Sequence, residues 1–166
     1  SKSKIKFLKI GAKYGSIVVL LNENKFDITI MRSDIKTDGR WAKVKFTNNL
    51  VQDSRRRDFT FNSIYCDTDG NLYDPNNGIV DLFNKKVKFI GNVDQRIKED
   101  HLRILRFVRF SLEISNFIDE DTYTVCVKHI KKLLLLSYER RIEEAKKIIT
   151  NKNLERNEVC LSLMKF

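Results

Sequence analysis

The chain has 166 residues, 42% hydrophobic and 33% charged, enough apolar content for a packed core and too much for a disordered tail. Lys and Arg outnumber Asp and Glu by 32 to 22, a formal charge of +10, which favours polyanionic partners such as RNA or nucleoside triphosphates, although a lysine-rich surface alone gives the same sum. Cys66, Cys126 and Cys160 are far apart and form no CxxC pair, which argues against a disulfide framework or zinc site and for a reducing, cytoplasmic setting.

The opening residues, Ser1 to Ile10, are basic, but the apolar run behind them, Ile17 to Leu21, is too short for a secretion signal or a membrane span. That run begins the strands. Ser16 to Leu21 is β-rich, a turn follows at Asn22 to Lys25, and Phe26 to Met31 alternates. The alternation puts Phe26, Ile28 and Ile30 on one face and Asp27 on the other. Ser33 to Arg40 is polar and reads as a loop through Asp38-Gly39; Val44 and Phe46 alternate again; Phe59 to Cys66 reads as a strand closed by a turn at Asp67 to Gly70. Beyond Gly91 the periodicity becomes helical. One helix is expected from Asn92 or Asp94 to about Ser115, and others over Asp121 to Leu136 and Ser137 to Thr150. The fold class is therefore α+β: a sheet-containing part, residues 1–91, followed by an all-helical part, residues 92–166.

Four segments carry possible chemistry. In Arg56-Arg57-Asp58-Phe59-Thr60-Phe61-Asn62, arginines suit a triphosphate and Asp58 a ribose hydroxyl, though alone the cluster is also a solvated strand end. Asp74-Pro75-Asn76-Asn77-Gly78 reads as a turn leading into a helix cap. Glu99-Asp100-His101-Leu102-Arg103, with Arg106 and Arg109, places Asp100 and Arg103 three residues apart on one helix face. Such a pair is most simply an intrahelical ion pair, but it also matches the pairing edge of a base. Cytosine and adenine each present an amino donor beside a ring-nitrogen acceptor; a carboxylate accepts from the first and a guanidinium donates to the second. Uracil and guanine reverse the pattern and are rejected. Finally, Asp27 sits on an alternating strand, where it is either a solvent-facing residue or support for a metal or an attacking hydroxyl.

Taken in order, these segments resemble the bacterial-type tRNA nucleotidyltransferase (CCA-adding enzyme) and poly(A) polymerase family. Its pattern is Phe-Glu-Ile-Thr-Thr-x-Arg, Asp-Gly-Arg, Arg-Arg-Asp-Phe-Thr-x-Asn, an Asp-x-x-x-Gly hinge, Glu-Asp-x-x-Arg-x-x-Arg-x-x-Arg-Phe and Ser-x-Glu-Arg-Ile. The counterparts are Phe26 to Arg32, Asp38 to Arg40, Arg56 to Asn62, Asp74 with Gly78, Glu99 to Phe110, and Ser137 to Ile142. The resemblance implies a template-free polymerase that adds CTP and ATP to the tRNA 3′ end with magnesium, built as a nucleotidyltransferase head followed by a helical neck. It implies that Arg56, Arg57, Asp58, Asn62, Arg106 and Arg109 contact the nucleotide, and that Asp100 and Arg103 select the base. Asp74 and Gly78 would form a hinge, Glu139 and Arg140 would brace the neck, and Asp27 would be the acidic residue near the metals. Asp27 replaces the usual Glu, Ile30 a Thr, Lys88 the Arg ending the hinge motif, and His101 a small residue or Pro. The family's Gly-Gly-x-Val-Arg-Asp turn and its Asp-x-Asp metal pair have no counterpart ahead of Asp27; Asp67-x-Asp69 lies downstream, in a turn. The expectation is accordingly a nucleotide-selecting part that needs a complementing polypeptide for the metal carboxylates, with an unpaired sheet edge for it. The alternative is a non-catalytic nucleotide- or RNA-binding remnant.

Overall fold

A computed structural model describes residues 5–38, 41–115 and 119–152. Three strands come first: β1 (Lys6–Leu8), β2 (Ser16–Leu21) and β3 (Asn24–Thr29) form an antiparallel sheet in that order. The β2–β3 turn is two residues, Asn22 and Glu23, both at positive φ, the twist that a tight hairpin requires. Directly opposed residues share a face, so Phe7, Val19 and Phe26 form one cross-strand row and Ile17 faces Ile28. The expected alternation is present, yet Phe7, Phe26, Ile28 and Ile30 are each about half exposed.

Two sequence expectations fail in the next stretch. Ser33 to Arg40 is not a loop: β4 (Arg32–Asp38) pairs antiparallel with β5 (Trp41–Phe46). Backbone pairing, with a register shift between Asp34 and Lys36, holds a strand whose polar residues concealed it. The Gly39-Arg40 part of the expected loop lies outside the described residues. Nor is Phe59 to Cys66 a continuous strand. After α1 (Leu50–Arg55), Thr60–Ser63 is a 3-10 turn, and only Tyr65–Cys66 (β6) is extended, pairing with Leu72–Tyr73 (β7). Local bonds win over extension here: the Ser63 hydroxyl donates to the Thr60 carbonyl at 2.7 Å and the Asn62 amide to the Asp58 carboxylate at 2.8 Å.

Five further helices follow: α2 (Gly78–Phe83), α3 (Val93–Glu99), α4 (Leu102–Ile114), α5 (Glu120–His129), continued by a 3-10 turn over Ile130–Leu135, and α6 (Tyr138–Ile149). The single helix expected from Asn92 to Ser115 is thus two. Asp100 interrupts it in an extended conformation (φ −154°, ψ 108°), and its carboxylate accepts the Leu102 N–H at 3.1 Å, capping the first turn of α4. The i, i+3 relation to Arg103 on one continuous helix therefore does not hold.

The core is a buried cluster of Phe59, which has no solvent exposure, with Val87, Phe89, Ile97, Ile104, Phe107, Val108, Leu112, Cys126, Ile130 and Ile148. Each fully buried side chain of this size contributes about 1.5–3 kcal/mol. The Phe59 ring lies 4.6 Å from Phe89 and meets Phe110 edge-on at 5.5 Å. Thr60 N–H donates to Lys88 O and Ile90 N–H to Asp58 O, at 2.9 Å each, so the Arg56–Asn62 segment is stitched to the chain ahead of α3.

Gly78 opens α2 against this segment. A Cβ there would lie 2.3 Å from the Thr60 carbonyl oxygen and 2.8 Å from Phe61 Cα, both backbone. Asp74 caps the same helix, accepting Gly78 N–H at 2.7 Å and Ile79 N–H at 2.8 Å. Gly78→Ala should therefore destabilise the chain by about 1–3 kcal/mol in urea unfolding; an unchanged midpoint would contradict the close approach.

Candidate functional site

The turn after α1 and the first turns of α4 converge. Asp58 is buried, with its Oδ1 accepting from Phe59 N–H at 3.0 Å and from Asn62 Nδ2 at 2.8 Å, and its Oδ2 accepting from Arg106 Nε. One helical turn earlier, Arg103 donates to Glu99 at 2.8 Å, to the Arg96 carbonyl at 2.7 Å and to the Arg56 carbonyl at 3.4 Å. Arg96 bonds both Glu99 and the Arg57 carbonyl. Arg56, Arg57, Asp58, Asn62, Arg103 and Arg106 thus belong to one hydrogen-bonded network between two segments more than thirty residues apart in sequence.

Arg109 lies on the same side of α4, its guanidinium 3.8 Å from the centre of the Phe110 ring, donating to Glu144 at 2.9 Å and to Glu113 at 3.1 Å. Asp100, at the break, does not pair with Arg103; its Oδ2 accepts from Arg140 at 2.7 Å. The two residues read as a base-selecting couple are therefore each held by a different partner, Arg140 from α6 and Glu99 from α3. A carboxylate offers about four acceptor sites and a guanidinium five donors, so both keep capacity for a planar ligand. His101, beside Asp100, stacks over His129 at 6.2 Å; the His129 Nε2 lies 2.8 Å from Asp94.

Asp27 stands apart. It is exposed on β3 opposite Val18, and among the described residues no hydrogen bond or ion pair joins it to the network. No group of three His, Cys, Asp or Glu that could hold a metal occurs among the described residues, so Asp27 alone does not make a metal centre.

Three acidic residues important to this geometry escaped the sequence reading as individuals: Asp53, Glu144 and, as the partner of Arg103, Glu99. Asp53 and Glu144 are buried at 0% and 4% exposure, and each sits between two arginines. The available signal was charge balance: a cluster of five arginines (Arg56, Arg57, Arg103, Arg106, Arg109) that folds inward needs buried carboxylates to neutralise it.

Burial by itself would raise the Asp58 pKa, but the hydrogen bond and charge of Arg106, with Asn62 and the Phe59 N–H, outweigh it and hold the carboxyl below its ordinary value of 3.8. A depressed folded-state pKa adds stability that is complete above the unfolded value and is lost as pH falls through the folded one. The melting temperature should therefore drop on going from pH 5 to pH 3. Arg106→Met removes the main opposition to burial, so its acid-induced drop should be smaller than that of the parent chain; equal drops in the two would sink the assignment.

Among the described residues no helix is long and apolar enough to cross a membrane. The family model of the poly(A) polymerase head domain matches residues 1–88. The chain is 45% identical over 143 residues to the mitochondrial CCA tRNA nucleotidyltransferase 1 of Mus musculus, covering 84% of this chain and 33% of the relative. It is 35% identical over 162 residues to the CCA-adding enzyme of Staphylococcus epidermidis, covering 96% of this chain and 40% of the relative. The crystal structure of the Bacillus stearothermophilus CCA-adding enzyme in complex with CTP superposes with a TM-score of 0.82 at 30% identity, over 96% of this chain and 38% of that one. The chain thus spans a third to two fifths of the length of these curated relatives. With more than half its residues inside the poly(A) polymerase head-domain family, alongside these similarities to CCA-adding enzymes, the chain belongs to the tRNA nucleotidyltransferase and poly(A) polymerase family.

Proposed function

We propose that these residues form the nucleotide-selecting part of a template-free tRNA 3′-end nucleotidyltransferase that takes CTP and ATP. The observation that carries the reading is the convergence of Arg103 and Arg106 from α4 on the backbone and side chain of the Arg56–Asn62 turn. In this reading Asp58, held by Asn62 and Arg106, meets the ribose. Arg56 and Arg57, with Arg106 and Arg109 behind them, face the triphosphate. Asp100 accepts from the amino group of cytosine or adenine, and Arg103 donates to the adjacent ring nitrogen. Asp74 and Gly78 form the hinge at which α2 meets the turn, and the division between head and neck falls near Gly91.

Selection by this pair is electrostatic and geometric, with no template strand. A base whose edge presents an acceptor to Asp100 and a donor to Arg103 makes neither bond and leaves its own edge groups unpaired in the site. Each such group costs about 1–3 kcal/mol. When bound, magnesium would stabilise the charge developing on the transferred phosphoryl group. The carboxylates that hold it are supplied from outside the described residues, by a longer chain or by a second polypeptide, with Asp27 at most an auxiliary group. The RNA partner is a tRNA 3′ end, a reading supported by the names of the relatives. The free thiols of Cys66 and Cys126 suit a reducing, cytoplasmic setting.

The test is incorporation of labelled CTP and ATP into tRNA lacking its 3′ end, with magnesium. The chain is assayed alone and together with a polypeptide carrying the Gly-Gly-x-Val-Arg-Asp and Asp-x-Asp segments, alongside direct binding of the four nucleotides. CTP and ATP should bind in preference to UTP and GTP, and incorporation should require the added polypeptide. Asp100→Ala should reduce the CTP-over-UTP preference about 10–100-fold, at 1.4 kcal/mol per tenfold. Equal binding of all four nucleotides by the parent chain would remove the base-selection reading, and preferential binding without incorporation in either arm would leave a binding module.

A further inference from the structure

The Asp53 carboxylate, on α1 and fully buried, is surrounded by donors. Oδ1 accepts from the Arg32 backbone N–H at 3.1 Å and from Arg56, through Nε at 2.8 Å and through its terminal nitrogen at 2.7 Å. Oδ2 accepts from Arg57 Nε and its terminal nitrogen, at 3.1 Å each, and from the Tyr65 hydroxyl at 2.8 Å. The Arg57 guanidinium is fixed in a third direction by donation to the Asn62 carbonyl at 2.8 Å, and it lies 4.9 Å from the centre of the same Tyr65 ring.

We infer that Asp53 is a positioning residue, which grips the inner edges of Arg56 and Arg57 and aims their outer edges at the triphosphate of an incoming nucleotide. The inference rests on the nucleotide-selecting reading above and deepens it. A guanidinium has five N–H donors; the described bonds of Arg57 use three, one each from Nε and its two terminal nitrogens, leaving two for a ligand on a side chain that is 34% exposed. One carboxylate between two guanidiniums also leaves a single net positive charge and prevents the pair from splaying apart by mutual repulsion. Because Asp53 holds the Arg32 N–H as well, it sets the arginine turn relative to the start of β4. Burial would raise its pKa, but the Arg32 N–H, the Tyr65 hydroxyl and Arg56 keep it below the ordinary carboxylate value, so it remains ionised at neutral pH.

The role has a distinctive sign. If only net charge mattered, Asp53→Asn would add a positive charge and tighten CTP binding. If Asp53 aims the arginines, the same variant weakens it. The experiment measures CTP and CMP affinities for the chain, for Asp53→Asn, for Arg57→Ala and for the double variant. Asp53→Asn should weaken CTP about tenfold, the loss of roughly one charge-assisted hydrogen bond, and should leave CMP nearly unchanged. In the Arg57→Ala background it should cost clearly less, because only Arg56 is left to be released. Tighter CTP binding, equal losses for CTP and CMP, or additive losses in the double variant would each overturn the inference. Should Asp53→Asn not fold, Tyr65→Phe, which removes one donor to Oδ2, should weaken CTP selectively by about twofold to threefold, and no selective change would overturn it. Failure of the parent chain to bind CTP would instead overturn the reading on which the inference rests.

Discussion

Phe59 is the fixed point from which the rest of the molecule is placed. Its ring, with no solvent exposure, packs with Phe61, with Phe89 ahead of α3 and with Phe107 and Phe110 of α4, inside a buried cluster that extends to α3, α5 and α6. Its backbone lies between the residues that do the polar work: Asp58 on one side, Thr60 to Asn62 on the other. A ring that has no alternative position fixes the direction in which its neighbour's carboxylate points. Removing it would leave a cavity of a kind that costs about 3–5 kcal/mol and would release Asp58 from Arg106.

Around this apolar centre the charges are arranged in pairs that cross between elements. Arg106 reaches Asp58 from α4, Arg109 reaches Glu144 in α6, Arg140 returns to Asp100, and Arg103 bonds the backbone of Arg56. Buried ion pairs of this type contribute little net stability, because desolvation offsets their attraction. Their effect is to specify one arrangement: Arg106 ties α4 to the Asp58 turn and Arg109 ties it to Glu144 of α6, so a slide of the helix by a turn would leave a buried carboxylate alone. Rigidity of that kind is what recognition of a base edge by two side chains demands.

The α+β class and the placement of most strands ahead of the main helices were legible because hydrophobic period and turn chemistry are local. What was not legible is where local pattern and tertiary demand disagree. Ser33 to Asp38 carries polar residues on a paired strand, and nothing within the segment announces its partner. The Asn92–Ser115 segment has unbroken helical periodicity, yet Asp100 leaves the helix because its side chain caps the next one and its second oxygen meets Arg140, forty residues away. Asp53, Glu99 and Glu144 were invisible as site residues for a similar reason: an acidic residue on a helix looks solvated until the arginines that enclose it are placed.

The break at Asp100 links the proposed base contact to helix geometry. One oxygen of that carboxylate receives the Leu102 amide and the other the Arg140 guanidinium, so any ligand that engages the carboxylate competes with, or is added to, a backbone amide bond. The Leu102 amide is accordingly a built-in reporter: its rate of hydrogen exchange records whether the carboxylate cap is closed. If Asp100 reads the base as proposed, the first turn of α4 frays or tightens with the state of that group, and a spectroscopist could follow occupancy there with no label on the nucleotide.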